Sequence, residues 1–261
     1  MSVRLYKRMA TTTVPELADA LGAALSLDDD PIQLLDTEEG VARVTERLLS
    51  AGTPIAVDFE GRDLCRSGKL DLMQVSDGTR TWLIDVTTLG EKAFSAGARA
   101  LLESGDVLKV GYDGRADADA LYHLHKTTLT NFYDVQIASC RRQDANDGRR
   151  DRFVHGLGKS IGVFLRGDPV RTIKMDSIKD AGRKLFAPEW GGSYDVWAQR
   201  PLHPVLIEYA ANDVSLLLEM RRAWERYSPT ALNVQSSRAR LANAVVSKQP
   251  AKGRHMALKD F

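Results

Sequence analysis

Only two cysteines, Cys65 and Cys140, occur in the 261 residues. A chain so poor in thiols builds neither a disulfide scaffold nor a four-thiolate metal centre, and both read as small buried thiols. Long apolar runs are missing as well. Stretches such as "DVLKVGY" and "GVFL" fall far short of a bilayer span, and the first residues lack the apolar core of a secretory signal. These absences lead us to expect an intracellular protein, of the cytoplasm or nucleus, without a membrane partner. Net charge is nearly absent too, at +1, which excludes a globally basic nucleic-acid binder. The balance hides an asymmetry: residues 229–261 carry +5 and residues 1–228 carry −4. The end of the chain therefore reads as a basic tail, either solvated or set to meet phosphates.

What is present is an ordinary globular composition, 43% hydrophobic and 27% charged, enough for one large domain with extensions. Residues 1–36 read as an N-terminal helical extension, since "VPELADALGAALS" spaces Leu17, Ala20, Leu21 and Leu25 at helical intervals. Residues 37–228 read as the domain, and 229–261 as the tail. The segment "DTEEGVARVTERLLSAG" has Asp36 or Thr37 to cap a helix, acids in its first turn and Gly52 to stop it. Three strands follow, "PIAVDFEG", "LDLMQVSDG" and "TRTWLIDVTTL", the last two joined by the turn "SDGT" as antiparallel neighbours. A helix is expected at 92–103, then strand "VLKVGY", helix "ADADALYHLHK" and strand "NFYDVQIAS". "LHPVLIEYAANDVSLLLEMRRAWERY" reads as one long closing helix. Strands followed by alternating strand and helix imply an α/β fold, a mixed sheet flanked by helices. The stretches "CRRQDANDGRRDR" and "LFAPEWGGSYDVWAQRPL" read as irregular loops.

Within this frame, "PIAVDFEGRDL" places Asp58 and Glu60 with one residue between them, on one face of an apolar strand. Two like charges in such a place persist only if a cation neutralises them or one holds a proton, unless the strand stops at Val57 and leaves both in water. Downstream, "KVGYDGRADADALY" offers Asp113, Asp117 and Asp119, and "YAANDV" sets Tyr209 and Asp213 on one helical face. The glycines Gly111, Gly114, Gly156 and Gly158 do not make a dinucleotide fingerprint. His123, His125, His155 and His203 form no ligand set; His203, before Pro204, belongs to the cap of the last helix.

"VDFEG", "KVGYDGRADADALYH" and "YAANDV" together resemble the three exonuclease motifs of the DEDD 3′–5′ exonucleases, in the tyrosine-bearing branch that includes ribonuclease D. The resemblance covers residues 40–226. "LFAPEWGGSYDVWAQRPL" is further similar to a stretch of the Egalitarian and Exd1 branch and of fungal exonuclease-domain proteins. It implies a ribonuclease-H-like fold, a single exonuclease domain and two divalent cations, Mg²⁺ or Mn²⁺. By position, Asp58 would bridge both cations, Glu60 and Asp213 would complete one site, and Asp117 would hold the second cation mainly through water. Tyr209 would orient the attacking water. The family's acid falls at the ninth position when the motif's Lys109 is counted as the first, which selects Asp117 over Asp113 and Asp119; Asp113 then contacts substrate or supports the site. Asp134 matches a family acid that is not a ligand and reads as structural. Trp190, Tyr194 and Trp197 either stack on bases or pin the loop that carries them.

The chemistry explains the composition of the set. Phosphodiester hydrolysis builds charge on the attacking and leaving oxygens, and two cations about 3.5–4 Å apart stabilise both. Hard oxygen donors suit Mg²⁺ or Mn²⁺, where zinc would draw more His or Cys. The expected partner is the 3′ end of a single-stranded nucleic acid, RNA or DNA. The alternative is a catalytically silent relative that binds RNA or protein.

Overall fold

The computed structural model describes residues 31–148, 152–251 and 253–261. The expected helix at 14–26 and the arginines Arg149 and Arg150 lie outside them. Six strands form one mixed sheet: β1 (Ile32–Leu35), β2 (Ile55–Glu60), β3 (Leu72–Ser76), β4 (Thr81–Asp85), β5 (Lys109–Gly111) and β6 (Phe132–Asp134). Their order is β1-β4-β3-β2-β5-β6. The hairpin strands β2, β3 and β4 are antiparallel neighbours, while β1 joins β4, β5 joins β2 and β6 joins β5 in parallel. The sheet is the mixed one that the pattern implied. β1 pairs with β4 over Ile32–Leu35, so residues from the end of the expected N-terminal extension take part in the sheet.

Both faces of the sheet are covered. Val57, Phe59, Met73, Val75, Trp82 and Ile84 face α1 (Glu38–Ala51) and the short helical segments between Val86 and Glu103. Thr37 caps α1, its Oγ1 accepting from Gly40 N at 3.2 Å, and Gly52 ends it in the left-handed region at φ 60°. The opposite face presents Ala56, Leu72 and Leu83 to the later helices. These are α2 (Arg115–His125), α3 (Val135–Asp147), α4 (Leu157–Phe164), α5 (Pro169–Phe186), α6 (Pro204–Ser215), α7 (Leu217–Trp224) and α8 (Thr230–Val246). Not all of them pack on that face: Ala118 and Leu121 of α2 and Leu241 of α8 join the first core. Cys65 and Cys140 are buried free thiols, as expected. No helix among the described residues is long and apolar enough to cross a membrane.

Four local expectations are corrected. "NFYDVQIAS" is strand only as far as Asp134, whose carboxylate accepts from Gln136 N at 2.8 Å and starts α3. That helix runs through most of the presumed loop "CRRQDANDG" to Asp147 before Gly148 ends it at φ 65°. "TRTWLIDVTTL" is strand only to Asp85, which likewise caps a short helix by accepting from Thr88 N. The closing helix breaks at Leu216 into α6 and α7; beside the break Ser215 Oγ donates to Asn212 O, a side-chain bond that competes with the helical ladder.

A further correction concerns the basic end of the chain. Residues 230–246 form α8, which packs on α2 and β6, and the following residues return along the domain. Arg240 is 1% exposed and ion-paired to Asp134; its Nε donates to Asp260 at 2.6 Å and its Nη2 to Gln136 at 2.9 Å. Arg66, from the β2–β3 loop, donates to the carbonyls of Ala244 and Ser247, both at 2.9 Å, while pairing with Asp119. Lys259 pairs with Asp144 at 2.7 Å. Arg240 and Lys259 answer protein carboxylates and Arg66 binds carbonyls of the segment, so it is strapped to the domain, while its Arg238 and Lys248 remain exposed. Arg240→Ala leaves Asp134 buried without its partner and should cost about 3–5 kcal/mol in urea unfolding. An unchanged unfolding midpoint would return residues 229–261 to the solvated reading.

Candidate active site

The site lies where β2 ends beneath α6. Alternation along β2 sends Asp58 and Glu60 to the face that α6 covers, and both are half-buried. The strand continues to Glu60, so the reading in which both acids lie in water fails. The chain turns at Gly61, where a Cβ would overlap the Lys69 carbonyl oxygen; any other residue would push the strand end away from its own loop. Helix α6 then brings Asp213 down beside the pair. One carboxylate oxygen from each of Asp58, Glu60 and Asp213 lies within 4.8 Å of the others.

Asp117 stands in the first turn of α2, beyond the C-terminal end of β5. It is outside that tight trio but inside its field. Burial, and after it the charge of Asp58, holds the Asp117 carboxyl well above the usual carboxylate range. Burial and then the Asp213 charge push Asp58 up to about 7. Burial and then the Asp58 charge hold Glu60 well above its ordinary value. Among the described residues, one cation forms an ion pair with the trio. Lys179, buried on α5, brings its Nζ to 2.6 Å from Asp213 Oδ1, a close ion contact outside hydrogen-bond geometry.

The neighbouring acids behave differently. Asp119 is fully buried and held by Arg66, whose backbone N donates to it at 2.9 Å. Asp113, at φ 55°, receives Arg115 Nη2 at 2.8 Å and Gln136 Nε2 at 3.2 Å. Asp134 is matched by Arg240 and caps α3, the structural part expected of it. Of the three acids in the second motif, Asp117 is the one without an arginine pair, and the Asp58 charge helps to raise its carboxyl. Asp113 is bound into the arginine network and is not brought into the carboxylate trio.

Tyr209 flanks the cluster at 7% exposure. Burial, followed by the charges of Asp213 and Glu60, pushes its phenol far up, so the hydroxyl keeps its proton at any physiological pH. Its ring is boxed in by Phe186, edge-on at 5.0 Å, by Trp197 at 6.1 Å and by Lys179 Nζ at 5.5 Å from the centroid. Gly182 closes the box from α5; a Cβ there would overlap the Tyr209 ring. Trp197 is 1% exposed in this aromatic cluster, so it pins the loop and cannot stack on a base. Trp190 and Tyr194 are 46% and 42% exposed. Tyr194 packs on Phe186 at 6.0 Å and lies close enough to Glu60 for that charge to raise its phenol, after burial, Glu189 and Asp63. His203 caps α6, its Nδ1 accepting from Val205 N. His123 contacts Val245 O and His125 stacks on Phe94, so neither serves the cluster.

Lys179 and Gly182 are absent from the sequence reading, and Phe186 enters it only within the stretch "LFAPEWGGSYDVWAQRPL", without a role of its own. All three lie on α5, where no motif marks Lys179 or Gly182. The donor set suits a hard divalent cation: carboxylate oxygens alone, raised carboxyls, and an Asp213 oxygen without a hydrogen bond.

Comparison with known proteins agrees with this geometry. A family model for 3′–5′ exonuclease matches residues 32–226. The chain belongs to that family. Among curated relatives, piRNA biogenesis protein EXD1 of Mus musculus is 31% identical over 172 residues, 64% of this chain and 28% of the relative. Ribonuclease D of Sphingobium indicum is 29% identical over 167 residues, 64% of this chain and 36% of the relative. The chain thus spans less than half the length of these relatives. Among solved structures, Trypanosoma brucei RNase D in complex with RNA U12 superposes with a TM-score of 0.68 at 21% identity, over 88% of this chain and 76% of that one. Escherichia coli RNase D gives 0.60 at 20% identity, over 82% and 50%. These similarities bear out the ribonuclease-H-like exonuclease fold.

The raised carboxyls fix the sign of a pH effect. An acid whose folded pKa lies above its unfolded value stabilises the fold while protonated; that contribution is whole below the unfolded pKa and lost as pH rises through the folded one. For Asp58 the window runs from about 3.8 to about 7. Without divalent cations, Asp58→Asn should therefore match wild type in thermal unfolding near the lower limit and exceed it by several degrees at pH 8. An Asp58→Asn protein that is less stable than wild type at pH 8 would show that the carboxylate is a structural anchor.

Proposed function

We propose that the chain is a metal-dependent 3′–5′ exonuclease that hydrolyses phosphodiester bonds at single-stranded 3′ ends through two cations. The observation that carries this reading is the crowding of Asp58, Glu60 and Asp213 within 4.8 Å, with a single lysine against them. Asp58 would touch both cations, Glu60 and Asp213 one of them, and Asp117 the other through water. Bound there, Mg²⁺ or Mn²⁺ would supply an acidified water and Lewis acidity at the leaving oxygen.

The protein's own groups do the rest. Tyr209 keeps its proton, so its hydroxyl is a donor and acceptor that holds and orients the attacking water, not a base. Its ring cannot swing, because Phe186, Trp197 and Gly182 box it in. Lys179 offsets the carboxylate charge before cations bind. Tyr194, close to Glu60, and the exposed Trp190 offer rings for base stacking, each contact worth about 1–3 kcal/mol. RNA is the first polymer to test, because the superposed Trypanosoma brucei RNase D is complexed with RNA U12. A silent binding module is the weaker reading, since Asp58, Glu60, Asp117, Asp213 and Tyr209 are all present.

Oligomers labelled at the 5′ or the 3′ end, offered with Mn²⁺ or with chelator, test the reading. Single nucleotides should leave the 3′ end in the presence of the cation only. Tyr209→Phe keeps the ring and its packing, so stability and Mn²⁺ binding should hold while turnover falls roughly 10²–10⁴-fold. Turnover equal to wild type would remove Tyr209 from the chemistry.

A further inference from the structure

Helix α6 packs on a floor made by β2, β3 and β4, and a large polar side chain stands between Leu72 and Leu83 in that floor. Gln74 of β3 stands directly opposite Asp58 in β2 and Leu83 in β4, so it shares the face that carries the carboxylates. Directly opposed residues place their Cβ atoms about 4.5–5.5 Å apart. Gln74 is 0% exposed, and neither its Oε1 nor its Nε2 has a hydrogen-bond partner. Asp213 Oδ1, above the same floor, is a second buried oxygen without one.

Packing alone does not account for Gln74. An amide buried with both ends unsatisfied loses its hydration and regains nothing, whereas a leucine or methionine would fill similar space at no such cost. The groups are complementary: an unpartnered N–H donor on the floor and, above it, a carboxylate oxygen that has an ion contact to Lys179 but no hydrogen bond, both next to Asp58. We propose that Gln74 is a positioning residue for the cation centre. Its Nε2 donates to the Asp213 carboxylate once a cation takes over from Lys179, and its Oε1 accepts from a water held in that centre. Such outer contacts orient a ligand and typically change metal affinity ten- to a hundredfold when removed. The inference rests on the two-cation reading above.

The test is calorimetric titration of the full chain with Mn²⁺, beside thermal unfolding in chelator, for wild type, Gln74→Leu and Gln74→Met. The unbranched methionine covers the case in which leucine does not pack. In chelator, the variants should unfold at or above the wild-type temperature, because two unsatisfied atoms are gone. Their dissociation constant for Mn²⁺ should rise about 10–100-fold. If wild type binds Mn²⁺ and a folded variant binds it within about twofold, Gln74 is floor packing and this inference is overturned while the cation centre stands. If wild type itself binds no Mn²⁺, the cation reading falls and this one falls with it.

Discussion

Repulsion among carboxylates is the constraint around which the site is arranged. Asp58, Glu60 and Asp213 each bring an oxygen within 4.8 Å of the others, at the end of a strand covered by a helix. Burial removes water from these groups and leaves their mutual repulsion poorly screened, so the Asp58 and Glu60 carboxyls are pushed above the usual carboxylate range. One buried ammonium, Lys179, stands against them. Such an arrangement is unfavourable for folding by itself. It becomes favourable when divalent cations bind, and the free energy withheld from the fold then appears as cation affinity.

The rest of the chain's buried acids show the contrast. Asp113, Asp119 and Asp134 are as sequestered by the fold as the trio, yet each has an arginine: Arg115, Arg66 and Arg240 in turn. Arg240 comes from α8, outside the residues matched by the exonuclease family model. The strap after residue 229 therefore neutralises acids that brace the second motif and the start of α3. Asp117, in the first turn of α2, is left without such a partner. The fold thus sorts its acids into those matched by arginines, which hold elements together, and those left under-matched, which can hold a cation. This division separates Asp117 from Asp113 and Asp119 on physical grounds where motif spacing alone only ranked them.

Much of this was legible in the sequence because the informative groups sit on periodic elements. Asp58 and Glu60 two apart on an apolar strand, and Tyr209 and Asp213 four apart on a helix, share faces by geometry alone. The sheet class followed from the order of strands and helices. What was not legible came from residues acting against type. Lys179 and Gly182 lie in a helix of mixed charge, where a lysine reads as solvated and a glycine as a weakness, yet both are buried against the site. Trp197 looked equal to Trp190 and Tyr194 until the fold placed it under Tyr209. Asp134 ended a strand early because a cap and a strand residue look alike in sequence. The basic end read as a tail because charge counting cannot see that Arg240 meets Asp134 across more than a hundred residues of chain.

The central claim is that cations replace protons in the carboxylate cluster. It is tested most directly by titrating the full chain with Mn²⁺ in two buffers of different ionisation enthalpy, at pH values around the Asp58 transition near 7. The account predicts binding accompanied by net proton release, which diminishes well above that pH as the carboxyls ionise unaided. Binding with no proton release near pH 7, or no binding at millimolar Mn²⁺, would contradict it.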